Sequence, residues 1–151
     1  MDFEIVKLEL EHLEKLMPFL SEDAMMRETL GKAYFSDGSV ALCLMADKQP
    51  VFAGGIVNLK WKRGESWIIA TPFFRQHLKT CFAIIRNMLP GMAESGHFER
   101  VQAVAQNGTS ASLFEHLGFE YEGRLKHFGP HGEDCSMYAR IFSNGSGGEA
   151  I

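Results

Sequence analysis

The chain has 151 residues, 46% of them hydrophobic and 23% charged, and a formal net charge of −4 at pH 7. These proportions predict one globular domain with a substantial core, and they exclude a disordered chain or two ordinary domains. The acidic balance argues against a nucleic-acid partner, and no apolar run approaches the roughly 18 residues of a membrane span.

The cysteines and the N-terminus indicate the compartment. Cys43, Cys81 and Cys135 are widely spaced and odd in number, which predicts reduced thiols and no disulfide framework. The acidic residues 1–4 lack the basic and apolar regions of a signal peptide. We therefore expect a cytoplasmic protein without a membrane partner.

The first half of the chain predicts strands around a helical segment. Apolar residues alternate with polar ones in the first segment and then recur at helical spacing. Three apolar runs bounded by turn residues follow, and Gly54-Gly55 in the second indicates a bulge or a close backbone approach. The predicted elements are strand 3–10, helices 11–20 and 22–30, and strands 40–46, 51–59 and 66–71.

The second half predicts two helices and three strands. A helical stripe of apolar residues begins after Pro72 and covers 76–88, and it either ends at residues 89–91 or continues past a proline kink to 95–96. The remaining predicted elements are strand 101–105, helix 109–117 and a hairpin of strands 121–128 and 135–142. Residues 143–151 are expected to form a flexible Gly/Ser tail outside the domain.

The most informative stretch is 107–119, Asn-Gly-Thr-Ser-Ala-Ser-Leu-Phe-Glu-His-Leu-Gly-Phe. It predicts an asparagine-led helix with a glycine stop between two strands. This arrangement resembles the last α/β crossover of the GNAT N-acetyltransferases, whose pattern is roughly N-x-x-A-x-x-L-Y-x-x-x-G-F. The residues that fall on this pattern are Asn107, Leu113, Gly118 and Phe119.

The predicted order of strands and helices is also that of the GNAT fold, so the resemblance covers about residues 3–142. It implies a single α/β domain over 1–142, with a mixed sheet and helices on both faces, of the acyl-CoA N-acyltransferase type. It also implies a cofactor cleft where the fourth and fifth strands splay apart, between Thr71 and Ala105.

Acetyl-CoA is the cofactor that the resemblance implies. The side chains that would contact it are Thr71, Phe74, Arg75, His77, Lys79, Asn107 and Phe114. In the family, the turn after the fourth strand reads about P-x-x-R-G-x-G-x-G/A, and its glycines let backbone N–H groups and a helix N-terminus hold the diphosphate.

Departures from that turn argue against acetyl-CoA binding here. Gln76, Leu78 and Thr80 occupy the glycine positions, and the bulky Leu78 would crowd a phosphate. The helix dipole and the neighbouring cations would still favour an anion. The ordinary alternative is a simple strand-to-helix connection with solvated cations.

The catalytic residues depart from the family as well. Phe114 stands where the family usually has a tyrosine that protonates the leaving thiolate, and a phenyl ring cannot donate a proton. Tyr121, Tyr138 or a water would have to replace it. Glu65, near the start of the fourth strand, is by analogy the candidate general base for the incoming amine. The alternatives are a core role for Phe114, a capping role for Asn107 and a solvated charge at Glu65.

A metal site is not predicted. His127, His131, Asp134 and Cys135 are grouped around a Gly-Pro-rich turn, but their spacing is not that of a zinc finger or ribbon. A polar hairpin tip explains them.

The combination of a GNAT-like scaffold with an altered site resembles small phage-encoded GNAT-like proteins, including an internal virion protein of short-tailed coliphages. The shared features are a Gly-Gly third strand, a Trp-containing fourth strand before a Gly-poor cationic helix, and an Asn/Gly-Thr-Ser start to the last helix. This resemblance implies degraded or lost acetyl-CoA chemistry and a binding role toward a virion or host protein, in the cytoplasm or the virion. The alternative is an active acetyl-CoA-dependent N-acetyltransferase with an atypical cofactor loop and an unknown amine acceptor.

Overall fold

The computed structural model describes residues 1–20 and 37–142. The strands described there are β1 (Phe3–Lys7), β2 (Val40–Ala46), β3 (Gln49–Asn58), β4 (Arg63–Ile69), β5 (Arg100–Ala105), β6 (Glu120–Leu125) and β7 (Cys135–Ile141). The helices are α1 (Leu10–Leu16), α2 (Pro72–Gln76), α3 (Leu78–Ser95) and α4 (Gly108–His116), and a 3-10 turn at Met17–Leu20 follows α1. The predicted helix 22–30 and the tail 143–151 lie outside the described residues.

The described strands form one mixed sheet in the order β1-β2-β3-β4-β5-β7-β6. Neighbouring strands are antiparallel except for the central pair β4–β5, which is parallel. The connection between these two strands is the helical segment α2–α3, as a parallel pair requires. The expected α/β domain with a mixed sheet is thereby confirmed.

Side-chain alternation along the strands builds a core on each face of the sheet. On the α1 face, Leu16 packs with Cys43, Ala53 and Trp67. On the opposite face, here called the α3 face, buried residues of β2, β3 and β5 pack against α3 and α4. Every second residue of β5 is buried, because Val101 and its alternate neighbours point toward α3 and α4. Helices therefore cover both faces, as expected.

Several element bounds differ from the predicted ones for local reasons. The first strand ends at Lys7, because the backbone N–H of Glu9 donates to His12 Nδ1 and α1 begins at Leu10. The last hairpin is shorter than predicted, since its final pair is Leu125 with Cys135 and the loop between them is tied by Asp134.

The segment after β4 differs most from the prediction. The strand runs from Arg63 to Ile69, and α2 and α3 replace the predicted single helix 76–88. His77 separates them with φ −126° and ψ 43°, which are not helical values. Of the two predicted ends of the long helix, the later one is observed, because α3 continues through Pro90 to Ser95.

The last crossover helix has the predicted caps. Asn107 Oδ1 accepts a hydrogen bond from the backbone N–H of Ser110 at 3.0 Å. At the other end, the N–H groups of Gly118 and Phe119 donate back to the carbonyls of Glu115 and Phe114. This is a Schellman motif, with Gly118 at φ +87° as its left-handed residue.

Candidate active site

A fork in the centre of the sheet opens a cleft. The parallel strands β4 and β5 pair only at Arg63 with Arg100, Gly64 with Val101 and Glu65 with Gln102. Beyond these pairs, residues 66–69 of β4 and 103–105 of β5 are no longer paired with each other. The cleft that opens there, here called the fork cleft, has a volume of about 1630 Å³. Its position is the one predicted for a cofactor.

Two of the predicted cofactor-binding residues have structural roles. The Thr71 hydroxyl donates to the carbonyl of Val51 and accepts from the N–H of Phe74 at 3.4 Å, so it caps α2 and does not line the cleft. Phe74 lines the cleft but is buried, with its ring edge-on to Phe52 at a centroid distance of 5.5 Å. Both side chains hold the start of the α2–α3 segment against β3.

Cations lie at the start of α3. Arg75 and Lys79 are exposed and line the fork cleft, and neither forms an ion pair with another described residue. His77 is the N-cap residue but its side chain caps no backbone N–H. Its Nδ1 instead contacts the carbonyl of Phe73 at 3.0 Å, and it does not line the cleft.

The N-terminus of α3 therefore keeps its hydrogen-bonding capacity. The first N–H groups of an α-helix have no acceptor within the helix, and here no side chain of the cap residue replaces one. The first turn also contains no acidic residue. Leu78, at a predicted glycine position, lines the cleft and is 45% exposed. The helix N-terminus is thus electrostatically suited to an anion, and the Leu78 side chain is its main steric obstacle.

The opposite wall is formed by the start of α4 and by Phe114. Asn107 lines the cleft while its Oδ1 caps α4. Phe114 lines it too, half-buried, with ring centroids of Phe119 at 5.7 Å and Tyr138 at 6.0 Å. Tyr138 is buried and donates to Glu115 at 3.3 Å.

Neither tyrosine predicted as a replacement proton donor lines the fork cleft. Burial, reinforced by the nearby Glu115, raises the pKa of Tyr138. Tyr121 is 57% exposed and packs edge-on against Tyr138. The structure thus brings Phe114 to the cleft and keeps both tyrosines behind it.

Glu65 lies at the point where the fork opens. It is half-buried, lines the cleft, and accepts a hydrogen bond from Gln102 Nε2 at 3.3 Å. Gln102 Oε1 in turn accepts from Arg100 Nε at 3.4 Å, and Arg100 donates both Nη atoms to Glu122 at 2.8 and 2.6 Å. These hydrogen bonds lower the pKa of Glu122 and raise that of Arg100.

This chain of polar groups fixes the orientation of Gln102. A guanidinium can only donate hydrogen bonds, so Arg100 requires the amide oxygen of Gln102 on its side. The amide nitrogen then points at Glu65, which must accept. Gln102, Arg100 and Glu122 were not identified from the sequence. The local signal was the alternation of Arg100 and Gln102 with buried neighbours in β5.

Trp67 is a second cleft residue that the sequence did not reveal. It is 7% exposed and lines the cleft two residues beyond Glu65. Its ring lies over Gly55, where a Cβ would come within 2.9 Å of Trp67 Cζ2 and 2.3 Å of the Val40 carbonyl oxygen. The predicted close approach at Gly54-Gly55 is therefore confirmed. The absence of a side chain at Gly55 leaves the space that the Trp67 indole occupies.

The described residues contain no group of three or more His, Cys, Asp or Glu side chains placed to hold a metal ion. At the hairpin tip, Asp134 accepts from the N–H of His127 at 2.9 Å and from Arg124 Nε at 2.7 Å. Within residues 1–20 and 37–142, no helix is both long and apolar enough to cross a membrane.

The fold matches solved N-acetyltransferase structures. A GNAT-family acetyltransferase from Streptococcus pneumoniae aligns with a TM-score of 0.72 at 16% identity, over 94% of this chain and 100% of that one. A variant of the spermidine N-acetyltransferase SpeG from Vibrio cholerae gives 0.74 at 16% identity, over 92% and 93%. Ard1 from Thermoplasma volcanium gives 0.76 at 8% identity, over 95% and 100%.

These similarities confirm the predicted GNAT fold and, at such low identities, show the fold alone. No protein-family model matches the sequence. No curated protein matches it either. The predicted resemblance to phage-encoded proteins finds no support in these comparisons.

Proposed function

We propose that this chain is an acyl-CoA-dependent N-acyltransferase that acetylates a primary amine in the fork cleft. The observation that carries the proposal is the separation of charge along the cleft. Arg75, Lys79 and the uncapped N-terminus of α3 supply positive potential beyond the end of β4. Glu65 supplies a carboxylate at the other end of the cleft. It lies four residues before Ile69, the last residue of β4, which is about 13 Å at roughly 3.3 Å per residue. One cleft thus suits an anionic cofactor and a cationic acceptor.

The residues present fit the diphosphate of acetyl-CoA in charge and hydrogen bonding. Backbone N–H groups of the first turn of α3 would hold it, with Arg75 and Lys79 beside them. Asn107 faces this turn across the cleft and would contact the rest of the cofactor. Leu78 is expected to lower the affinity for the diphosphate, because its side chain occupies the space that a glycine leaves free in the family. Bound acetyl-CoA would supply an activated acyl group as a thioester.

Glu65 would take the proton of the incoming ammonium group. Its carboxylate is held in place by the Gln102 amide. The half-buried position strengthens its attraction for a cation relative to a fully solvated carboxylate. Arg100 does not touch the cleft and acts here only by orienting Gln102.

Phe114 limits the chemistry on the other side of the cleft. The ring excludes water but holds no exchangeable proton, and the two nearby tyrosines do not reach the cleft. The proposed enzyme therefore works without a side-chain acid at this position. We expect its rate to increase with pH as the amine is deprotonated.

Leu78 and Phe114 also favour a second candidate function, which is binding without transfer. In that case the cleft would hold an acyl-CoA weakly or not at all, and the chain would act by docking on a partner. A virion or host protein is the partner that the resemblance to phage-encoded proteins implies.

Acetyl transfer to a panel of primary amines separates the two candidates. We expect turnover by the unmodified chain and a loss of at least about 10²-fold in kcat for Glu65→Gln, the lower range for removing a general base. The matched control is Glu94→Gln, an exposed carboxylate on α3. Absence of turnover with every amine, or equal rates for both variants, would contradict the proposal.

A further inference from the structure

We infer that the acceptor end of the fork cleft selects amines that carry a hydrogen-bond-accepting oxygen next to the amine, as in an α-amino amide or a peptide N-terminus. This inference rests on the proposed N-acyltransferase function and names its substrate class. It also implies that a polyamine, which offers no such oxygen, is a poor acceptor.

The inference begins with an unpartnered donor. Trp67 is only 7% exposed. Among the buried side-chain nitrogen and oxygen atoms of the described residues, only Trp67 Nε1 and Arg63 Nε have no hydrogen-bond partner. An indole N–H can donate but cannot accept. Leaving such a group buried and unsatisfied carries the full penalty of its desolvation, so a ligand that accepts this bond gains affinity.

The donor is held in place by the sheet. Gly55 and Trp67 are register partners in the β3–β4 pair, and the indole occupies the space that a side chain at position 55 would need. Because the ring is packed beside the Gly55 backbone, the indole has little freedom to move, and Trp67 is one of the residues that line the fork cleft.

Glu65 supplies the complementary group on the same face of β4. Residues two apart in a strand point to the same side and lie roughly 7 Å apart. Glu65 accepts and is negatively charged, whereas Trp67 donates and is neutral. A ligand that meets both requires an ammonium or amine N–H beside an oxygen acceptor.

Classes of amine differ in whether they can hydrogen-bond to both Glu65 and Trp67. In an α-amino amide the carbonyl oxygen lies close to the amine, so one small group can contact both side chains. Protonated polyamines and simple alkylamines present N–H donors only, and they would leave the Trp67 N–H without a partner. Sites built around a polar partner discriminate strongly against ligands that lack it.

The decisive comparison uses alaninamide, isopropylamine, in which a methyl group replaces the carboxamide, and spermidine. Alaninamide is the weaker base of the two, so kcat/KM is compared per unprotonated amine. On that scale we expect the value for alaninamide to exceed that for isopropylamine by about tenfold or more. Trp67→Phe, which keeps an aromatic ring and removes the N–H, should bring this ratio down to within about threefold of unity. Trp61→Phe is the matched control, since Trp61 is 85% exposed on the β3–β4 turn, and it should keep the ratio.

A binding readout separates this inference from the proposed function. The chain has two tryptophans, so Trp61→Phe leaves Trp67 as the sole indole fluorophore. We expect its emission to shift saturably with alaninamide and not with isopropylamine. If this shift occurs but no amine is acetylated, the proposed acyltransferase function is wrong. The inferred selectivity of the site for an amine beside an oxygen acceptor is then still supported. Acetylation without preference for the amide, or an equal or absent response of Trp67 to both ligands, would overturn the inference.

Discussion

At the scale of single residues, the fork cleft depends on which groups can donate and which can accept. Arg100 can only donate, so Gln102 must turn its amide nitrogen toward Glu65. Sequence analysis identified Glu65 but not these hydrogen-bonded partners, because they come from different strands. The parallel pairing of β4 with β5 brings Glu65 to Gln102, and Glu122 reaches Arg100 from β6. The unpartnered N–H of Trp67 could not be predicted from the sequence either, since a tryptophan in a strand normally indicates core packing.

Gly55→Ala should destabilise the protein by more than about 2 kcal/mol, because an added Cβ would overlap a backbone oxygen at 2.3 Å and the Trp67 ring at 2.9 Å. Gly91→Ala is the control, since nothing lies within 4 Å of the Cβ position there. Replacing a helical glycine by alanine should stabilise by about 0.5–1 kcal/mol. Urea melts give both values, and equal effects of the two substitutions would contradict the packing described for Gly55.

Burial raises the pKa of the Cys43 thiol from 9.0 to about 11. Its contribution to stability is therefore complete below pH 9, where the unfolded thiol is protonated, and is lost as pH rises toward 11. We expect the free energy of unfolding to fall over this window by up to about 1.4 kcal/mol per pH unit from this group. Cys43→Ala should show a shallower slope in urea melts between pH 8 and 11. Identical slopes would show that the thiol is accessible to water.

At the scale of elements, the last crossover was predictable and the α2–α3 segment was not. Asn107, Gly118 and the apolar spacing between them carry local signals for a cap, a stop and a packed face. The break between α2 and α3 lies at His77, and the start of α2 is held by the tertiary contact of Thr71 with Val51. A threonine that caps a helix can be recognised from sequence, but its second bond to a distant strand cannot.

Leu117→Ala should cost about 2–5 kcal/mol, because that side chain is 7% exposed within the α3-face core. Gly118→Val should cost more than about 1 kcal/mol, since a β-branched residue tolerates φ +87° poorly. The exposed Ser112→Ala on α4 should stay within about 0.5 kcal/mol of the unmodified protein. Denaturant melts compare the three variants, and losses below about 0.5 kcal/mol for the first two would contradict the packing of this crossover.

At the scale of the whole molecule, the parallel pair β4–β5 makes the cleft. Its three residue pairs hold the strands together at one end and let them separate at the other. The sequence indicates the order of elements, and the GNAT resemblance predicted their arrangement, which the solved structures confirm as a fold. Chemistry does not follow from that fold, because the cleft walls carry Leu78 and Phe114 in place of the family's glycine and tyrosine.

Calorimetric titration with acetyl-CoA tests most directly whether the fork cleft is a cofactor site. The account predicts saturable binding with a dissociation constant above about 100 μM, weaker than roughly −5.5 kcal/mol, that weakens further with salt as an anion contact should. Lys79→Ala should reduce the affinity, and Leu78→Gly should increase it by opening the start of α3. No saturable heat from either the unmodified chain or Leu78→Gly at concentrations up to about 5 mM, weaker than roughly −3 kcal/mol, would contradict the account.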